Sequence, residues 1–240
     1  MPAASRAEVP ARDGQQCKKG ACRSCRTRTV GHERSVYFFP KSTFGVCISD
    51  GAMSKVAMGC AEAYSTERLL RLSPCFLCYK PIDMVPERIG EGWVRAPRAT
   101  VDGEPIFCCF NAAHKVNDRT LDLWSRVLRE VPRSRMLVKS RGASGPHSME
   151  GMRKRFAERG VEASRIDFVP FTDLPGEHLN TYARADIQLD TFPYHGTTTT
   201  CESLLMGVPV VTRTGDRHVS RVSTSILSAT GLGELACEDD

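Results

Sequence analysis

Four consecutive hydroxyl residues, Thr197 to Thr200, follow the turn Pro193-Tyr194-His195-Gly196 and precede the apolar run Leu204-Leu205-Met206. Threonine suits a helix interior poorly, because β-branching restricts its rotamers. At a helix mouth the hydroxyls and the free backbone N–H groups point the same way. With the positive end of the helix dipole they form a pocket for phosphate. Glu202 lies one turn further in, placed to accept a hydrogen bond from a sugar hydroxyl. Gly196, lacking a side chain, lets the backbone turn sharply and approach a ligand. The same residues also read as an ordinary N-cap, with Glu202 as an acid complementing the dipole.

The flanking pattern says what must position this group. From Pro105 onward, short apolar strands alternate with helices. Strands are predicted at 106–110, 135–139, 165–169, 186–189 and 208–212. Helices are predicted at 119–131, 148–159 and 177–185, then the Thr-capped helix, and a last helix at 218–230. The first helix carries Leu121, Trp124, Val127 and Leu128 on one face. Such alternation implies an α/β fold, a Rossmann-like parallel sheet covered by helices on both faces. Ligands bind such sheets beyond the carboxyl ends of the strands. The Thr cluster, residues 111–115 and the loop before His178 all fall at those ends.

The N-terminal part reads differently. Residues 1–60 hold ten Lys/Arg and four Asp/Glu, so the overall charge of +5 resides there. The remainder gives no electrostatic reason to expect nucleic acid. Residues 1–61 read as an irregular, basic, disordered leader, with stray strands at 36–39 and 44–48. Residues 62–104 read as a helix over 61–72 followed by a Pro/Gly-rich linker, and residues 105–240 as the Rossmann-like lobe.

Eleven cysteines without a secretory signal read as reduced thiols. Cys108, Cys109 and Cys201 sit in apolar patterns and should be core. Cys17, Cys22, Cys25 and His32 match no common zinc spacing, and Cys75-x-x-Cys78 has no partner pair, so no metal is expected. No apolar run approaches the roughly 20 residues of a membrane span. These readings point to the cytosol or nucleus.

Three separated segments resemble a known family. They are Leu72-Ser73-Pro74-Cys75-Phe76-Leu77-Cys78-Tyr79, then Phe110-Asn111-Ala112-Ala113-His114-Lys115, then Leu189 to Thr212 continuing through Gly215-Asp216-Arg217-His218-Val219-Ser220-Arg221-Val222. In this order they resemble the C-terminal catalytic lobe of the O-GlcNAc transferases and SPINDLY proteins. The resemblance covers roughly residues 62–240. It implies the C-terminal lobe of a two-lobed GT-B glycosyltransferase, inverting and metal-independent. Such enzymes move a sugar from a nucleotide donor to Ser or Thr hydroxyls of proteins.

The resemblance also implies residue roles. Lys115 matches the family's essential lysine and would face the leaving diphosphate, where charge builds as the glycosidic bond breaks. Asn111, Gly196, Thr197, Thr198 and Thr199 would hold the donor. Glu202 would bind the ribose and His178 would lie near the nucleoside. His195, His218 and Arg221 are further candidates for donor contact. Thr197 stands where animal enzymes carry His and SPINDLY carries Thr. Glu202 replaces an Asp, Ala112 a Gln, and Pro175 and Thr181 a Lys and an Arg of the uridine-selective animal enzymes. The donor expected is therefore UDP-GlcNAc or GDP-fucose, with no cofactor beyond it.

The family's acceptor groups and a further His come from an N-terminal lobe, usually behind tetratricopeptide repeats. No repeat of about 34 residues occurs here. The sequence therefore reads as a fragment or degenerate copy that transfers sugar poorly alone. A non-catalytic nucleotide-sugar-binding module is the alternative, and a zinc-linked basic interaction protein a third.

Overall fold

The computed structural model describes residues 36–37, 46–50, 68–80, 103–139, 148–172 and 174–240. The chain divides into two units, Met1–Glu33 and Arg34–Asp240, and every described residue belongs to the second. The expected cysteine and histidine cluster at 17–32 lies outside the described residues.

Six parallel strands form the main sheet: β1 (Ile106–Cys109), β2 (Arg135–Lys139), β3 (Ile166–Val169), β4 (Ile187–Leu189), β5 (Val210–Arg213) and β6 (Ala236–Cys237). They run in the spatial order β3-β2-β1-β4-β5-β6. This is the Rossmann order, with its switch point between β1 and β4. The α/β fold expected from the sequence is therefore observed.

Among the described residues five helices cover the sheet: α1 (Asp118–Glu130), α2 (Met149–Ala157), α3 (Pro175–Tyr182), α4 (Thr198–Leu205) and α5 (Val222–Ala229). Successive strand residues face opposite sides, so each strand feeds two cores. Phe107, Cys109, Met136, Val138 and Leu189 pack with Leu121, Trp124 and Leu128 of α1 and Met152 and Phe156 of α2. Cys108, Phe110 and Leu137 pack on the other face with Leu179 and Tyr182 of α3 and Met206 and Val208 beyond α4. Cys108 and Cys109 are core, as expected, whereas Cys201 is only half-buried.

Local chemistry fixes the helix ends. Asn117 caps α1 by accepting from the Thr120 N–H, and Ser148 caps α2 by accepting from the Gly151 N–H. Past α4, Gly207 takes a positive φ of 74°, the left-handed turn that ends many helices.

Three expectations need correction. Arg68–Leu72 is a strand paired in parallel with Val46–Asp50, where the sequence suggested the end of a helix. Cys78–Tyr79 pairs antiparallel with Val36–Tyr37, inside the expected linker. The last helix is broken: a 3-10 turn at His218–Ser220 precedes α5, and Arg221 between them is buried. Strand β6 was not anticipated, because two residues carry no periodic signal.

Candidate functional site

The switch point separates the carboxyl ends of β1 and β4, and the chain leaves each through a polar turn. From β1 it passes through Phe110 and Asn111 into a 3-10 turn, Ala113–Lys115. From β4 it passes through Asp190 and Thr191 to the Thr-rich mouth of α4. Asn111 joins the two. It is buried, and its amide donates to Asp190 Oδ1 at 3.0 Å and to Thr191 Oγ1 at 2.9 Å. Its carbonyl oxygen accepts from the hydroxyl of Thr199.

Asp190 is the hub of the second turn. Its Oδ1 also accepts from the N–H of Thr191 and the N–H of Gly196, each at 2.8 Å. Its Oδ2 accepts from Thr212 Oγ1 at 2.8 Å. A buried carboxylate needs this many donors to offset the water it gave up. Helix α1 supports the turn from behind. The Trp124 indole donates to the carbonyl of Asp190 at 3.1 Å, and Asn117 and Thr120 both donate to the carbonyl of Phe192.

Lys115 reaches across the switch point. Its ammonium donates to the carbonyl oxygen of His195 at 2.8 Å and sits 4.0 Å from the centre of the Tyr194 ring. Burial lowers its pKa from the ordinary lysine value, and the charge of Asp190 opposes that shift. A cation on the first turn is thereby held three residues ahead of the helix mouth that bears Thr198 and Thr199. The first-turn N–H groups of α4 have no partner within the helix. Thr197 offers no side-chain cap there, so the ordinary N-cap reading of that residue fails. Free N–H donors, a helix dipole and an ammonium are the groups that an anion site requires.

Gly196 is required by close packing. A Cβ there would lie 2.6 Å from Thr200 Oγ1, 2.7 Å from Thr199 Oγ1 and 2.9 Å from Asn111 Oδ1.

Glu202 and His178 form one unit. Both are buried, and His178 Nε2 lies 3.0 Å from Glu202 Oε2. His178 is thus no surface residue of a helix start, and Glu202 stands beyond the first turn of α4 rather than at its dipole. Phe110 and Tyr182 flank the His178 ring, with ring centres 6.1 and 5.7 Å away. Tyr182 donates to the carbonyl of Thr199 at 3.1 Å, locking α3 to the mouth of α4.

The three further candidates each have protein contacts of their own. The His195 ring is fully buried, donating through Nε2 to the Arg213 carbonyl at 2.8 Å and accepting at Nδ1 from the Ser223 N–H at 3.2 Å. Burial lowers its pKa from 6.5, which keeps it neutral. Its backbone carbonyl faces Lys115, while its ring holds α5 in place. Arg221 is buried and donates to the Gly215 carbonyl at 2.7 Å, bracing the loop after β5. His218 is exposed and stacks edge-on against Phe76 at 5.3 Å. Sequence reasoning passed over Asp190 and Tyr194; a carboxylate directly after β4, at the switch point, was the available signal for the first. Among the described residues no group of His, Cys, Asp or Glu is arranged to hold a metal ion.

Residues 94–240 match the model of glycosyl transferase family 41. The chain belongs to this family. Among the relatives of this family 41 chain is the probable UDP-N-acetylglucosamine--peptide N-acetylglucosaminyltransferase SPINDLY of Arabidopsis thaliana. The two are 41% identical over 178 residues, which is 72% of this chain and 18% of the relative. The UDP-N-acetylglucosamine--peptide N-acetylglucosaminyltransferase of Caenorhabditis elegans is 36% identical over 144 residues, 60% of this chain and 12% of that one. A solved structure of a mutant O-GlcNAc transferase from Thermobaculum terrenum matches at 33% identity with a TM-score of 0.69, covering 81% of this chain and 35% of that one. That match supports the expectation of a Rossmann-like GT-B lobe. The chain spans less than a fifth of the length of these curated relatives.

Proposed function

We propose that this family 41 lobe holds a nucleotide-sugar donor for protein O-glycosylation. The observation that carries the reading is the meeting of Lys115 with the turn that opens α4, clamped by the Asn111–Thr199 bond. In this reading the diphosphate lies against the N–H groups and hydroxyls of Thr198 and Thr199, with Lys115 opposite. The ribose and base lie toward Glu202 and His178. Names of the relatives support a nucleotide-sugar donor and a peptide acceptor. UDP-GlcNAc and GDP-fucose are the two donors proposed.

Transfer requires the acceptor Ser or Thr oxygen to bond to the anomeric carbon as the bond to the diphosphate breaks. The hydroxyl proton passes to a base, and the diphosphate leaves with the electron pair. Attack from the face opposite the leaving group inverts the anomeric centre. Negative charge grows on the diphosphate, and fixed donors aimed there lower the barrier more than mobile water would. Lys115 and the α4 mouth supply those donors, so no metal is needed. The base and the acceptor platform are assigned to a second lobe, and the proposed setting is cytoplasmic or nuclear. Among the described residues no helix is long and apolar enough to cross a membrane.

Titration calorimetry of the full chain with UDP, GDP and their sugars tests the donor site. Binding of one diphosphate family, lost in Lys115→Met, is the expected result; no binding by any of them overturns the reading. Sugar transfer to a Ser/Thr peptide, on adding the N-terminal lobe of a SPINDLY relative, then separates a catalytic lobe from a binding module.

A further inference from the structure

Lys139, the last residue of β2, is a buried cation that the anion site does not use. It is only 3% exposed. Strand alternation places it on the side of Leu137, the face covered by α3. Its ammonium donates to Thr172 Oγ1 at 2.8 Å and to Thr181 Oγ1 at 3.3 Å. Thr172 lies on the loop that leads into α3, and Thr181 lies within the helix. The Thr181 hydroxyl itself donates to the Glu177 carbonyl at 3.0 Å, so its oxygen is free to accept from the lysine.

Burying an ammonium is costly, and an apolar side chain of similar size would stabilise the sheet as well or better. What the charge adds is direction. Thr181 and His178 are three residues apart on α3 and so share a face. Lys139 therefore fixes both the entry to α3 and the turn from which His178 reaches Glu202. We infer that Lys139 is a positioning residue of the nucleoside end of the donor site, acting through α3 on the His178–Glu202 pair. The inference rests on the donor-site reading given above.

Positioning of this kind affects one end of a ligand and spares the other. Inorganic pyrophosphate can occupy the Thr198, Thr199 and Lys115 region without touching His178, whereas GDP and UDP extend to both ends. Titration of the full chain with pyrophosphate, GDP and UDP, repeated on Lys139→Met, reads the difference. The expected result is about a tenfold weaker affinity for whichever nucleoside diphosphate binds, with pyrophosphate changed less than about twofold. Thr181→Val keeps shape and apolar contact while removing the acceptor, so it should move the same ratio in the same direction if Lys139→Met fails to fold. Equal loss for pyrophosphate and nucleoside diphosphate, or no change in either, overturns the positioning role alone. Failure of the unaltered chain to bind GDP or UDP removes the donor-site reading and this inference with it.

Discussion

The Lys115 ammonium and the Tyr194 ring are stacked 4.0 Å apart, although 79 positions separate them in the chain. Tyr194 is exposed, so the contact lies at the edge of the site rather than in its interior. Two attachments, the ring face and the His195 carbonyl, leave the ammonium little freedom to wander. A cation held in this way costs less ordering when an anion arrives.

Tyr194→Ala should therefore weaken pyrophosphate or nucleoside diphosphate binding by about three- to tenfold, the usual reach of a cation–π contact. Tyr194→Phe keeps the ring and should leave affinity close to that of the unaltered chain. Calorimetric titration of both variants checks the pair, and equal losses would assign the effect to the hydroxyl instead.

Lys115→Met should lower transfer, once the acceptor lobe is supplied, by about a hundredfold or more, with the circular dichroism spectrum unchanged. The depressed lysine pKa adds a pH signature. Since burial disfavours the charged form, diphosphate affinity should decline before pH reaches 10.5, the ordinary value. Lys115→Arg keeps its charge in that range and should flatten the decline.

Gly196→Ala drives a methyl group into the hydroxyls of Thr199 and Thr200 and the amide of Asn111. Overpacking of this kind costs about 1–3 kcal/mol. Thermal unfolding should show that loss, and nucleotide affinity should fall with it because the displaced groups line the anion site. A variant as stable as the parent would mean that the turn relaxes freely.

His195 should make stability depend on pH. Its ring is held neutral, with Nδ1 accepting from the Ser223 N–H, so the native state resists a proton that the unfolded chain takes up at about 6.5. Stability rises with pH wherever the unfolded state binds more protons. The contribution is thus complete above pH 6.5 and disappears as pH falls through the depressed native value. His195→Gln, which cannot titrate, should narrow its stability gap to the parent as pH drops below about 6.5. Denaturant melts at a series of pH values would reveal a constant gap if this account is mistaken.

Asp190→Asn replaces one acceptor oxygen with a donor in a pocket already crowded with N–H and O–H groups. Breaking a buried network of this sort costs about 3–5 kcal/mol. Calorimetry should show a large drop in melting temperature, and a near-neutral effect would contradict the hub assigned to this carboxylate.

Much of the lobe was readable because buried parallel strands are built on continuous apolar runs, as in Ile106–Cys109 and in Met136, Leu137 and Val138 of β2. The Thr cluster was readable because β-branched residues in a row fit a helix mouth better than its middle. Arg68–Leu72 was misread, since leucines spaced among arginines mimic a helix face, and the strand that pairs with it, Val46–Asp50, is distant in sequence. The break at Arg221 was hidden by a continuous helical pattern on both sides. Lys139 escaped because a single polar residue beside apolar ones shows no period, and only the folded neighbours reveal that it is buried. Asp190 stood in plain view, but its importance comes from four donors contributed by four different residues.

The strand order has a last consequence. Asn111 and Lys115 belong to the half of the sheet completed first during synthesis, and the turn that receives them belongs to the half completed last. Neither half on its own carries both Lys115 and the turn that it meets. A bound diphosphate would act as a rivet across the seam, so the protein's melting temperature should climb with nucleotide concentration, and a protease cut between β3 and β4 should be survivable only while the rivet is in place.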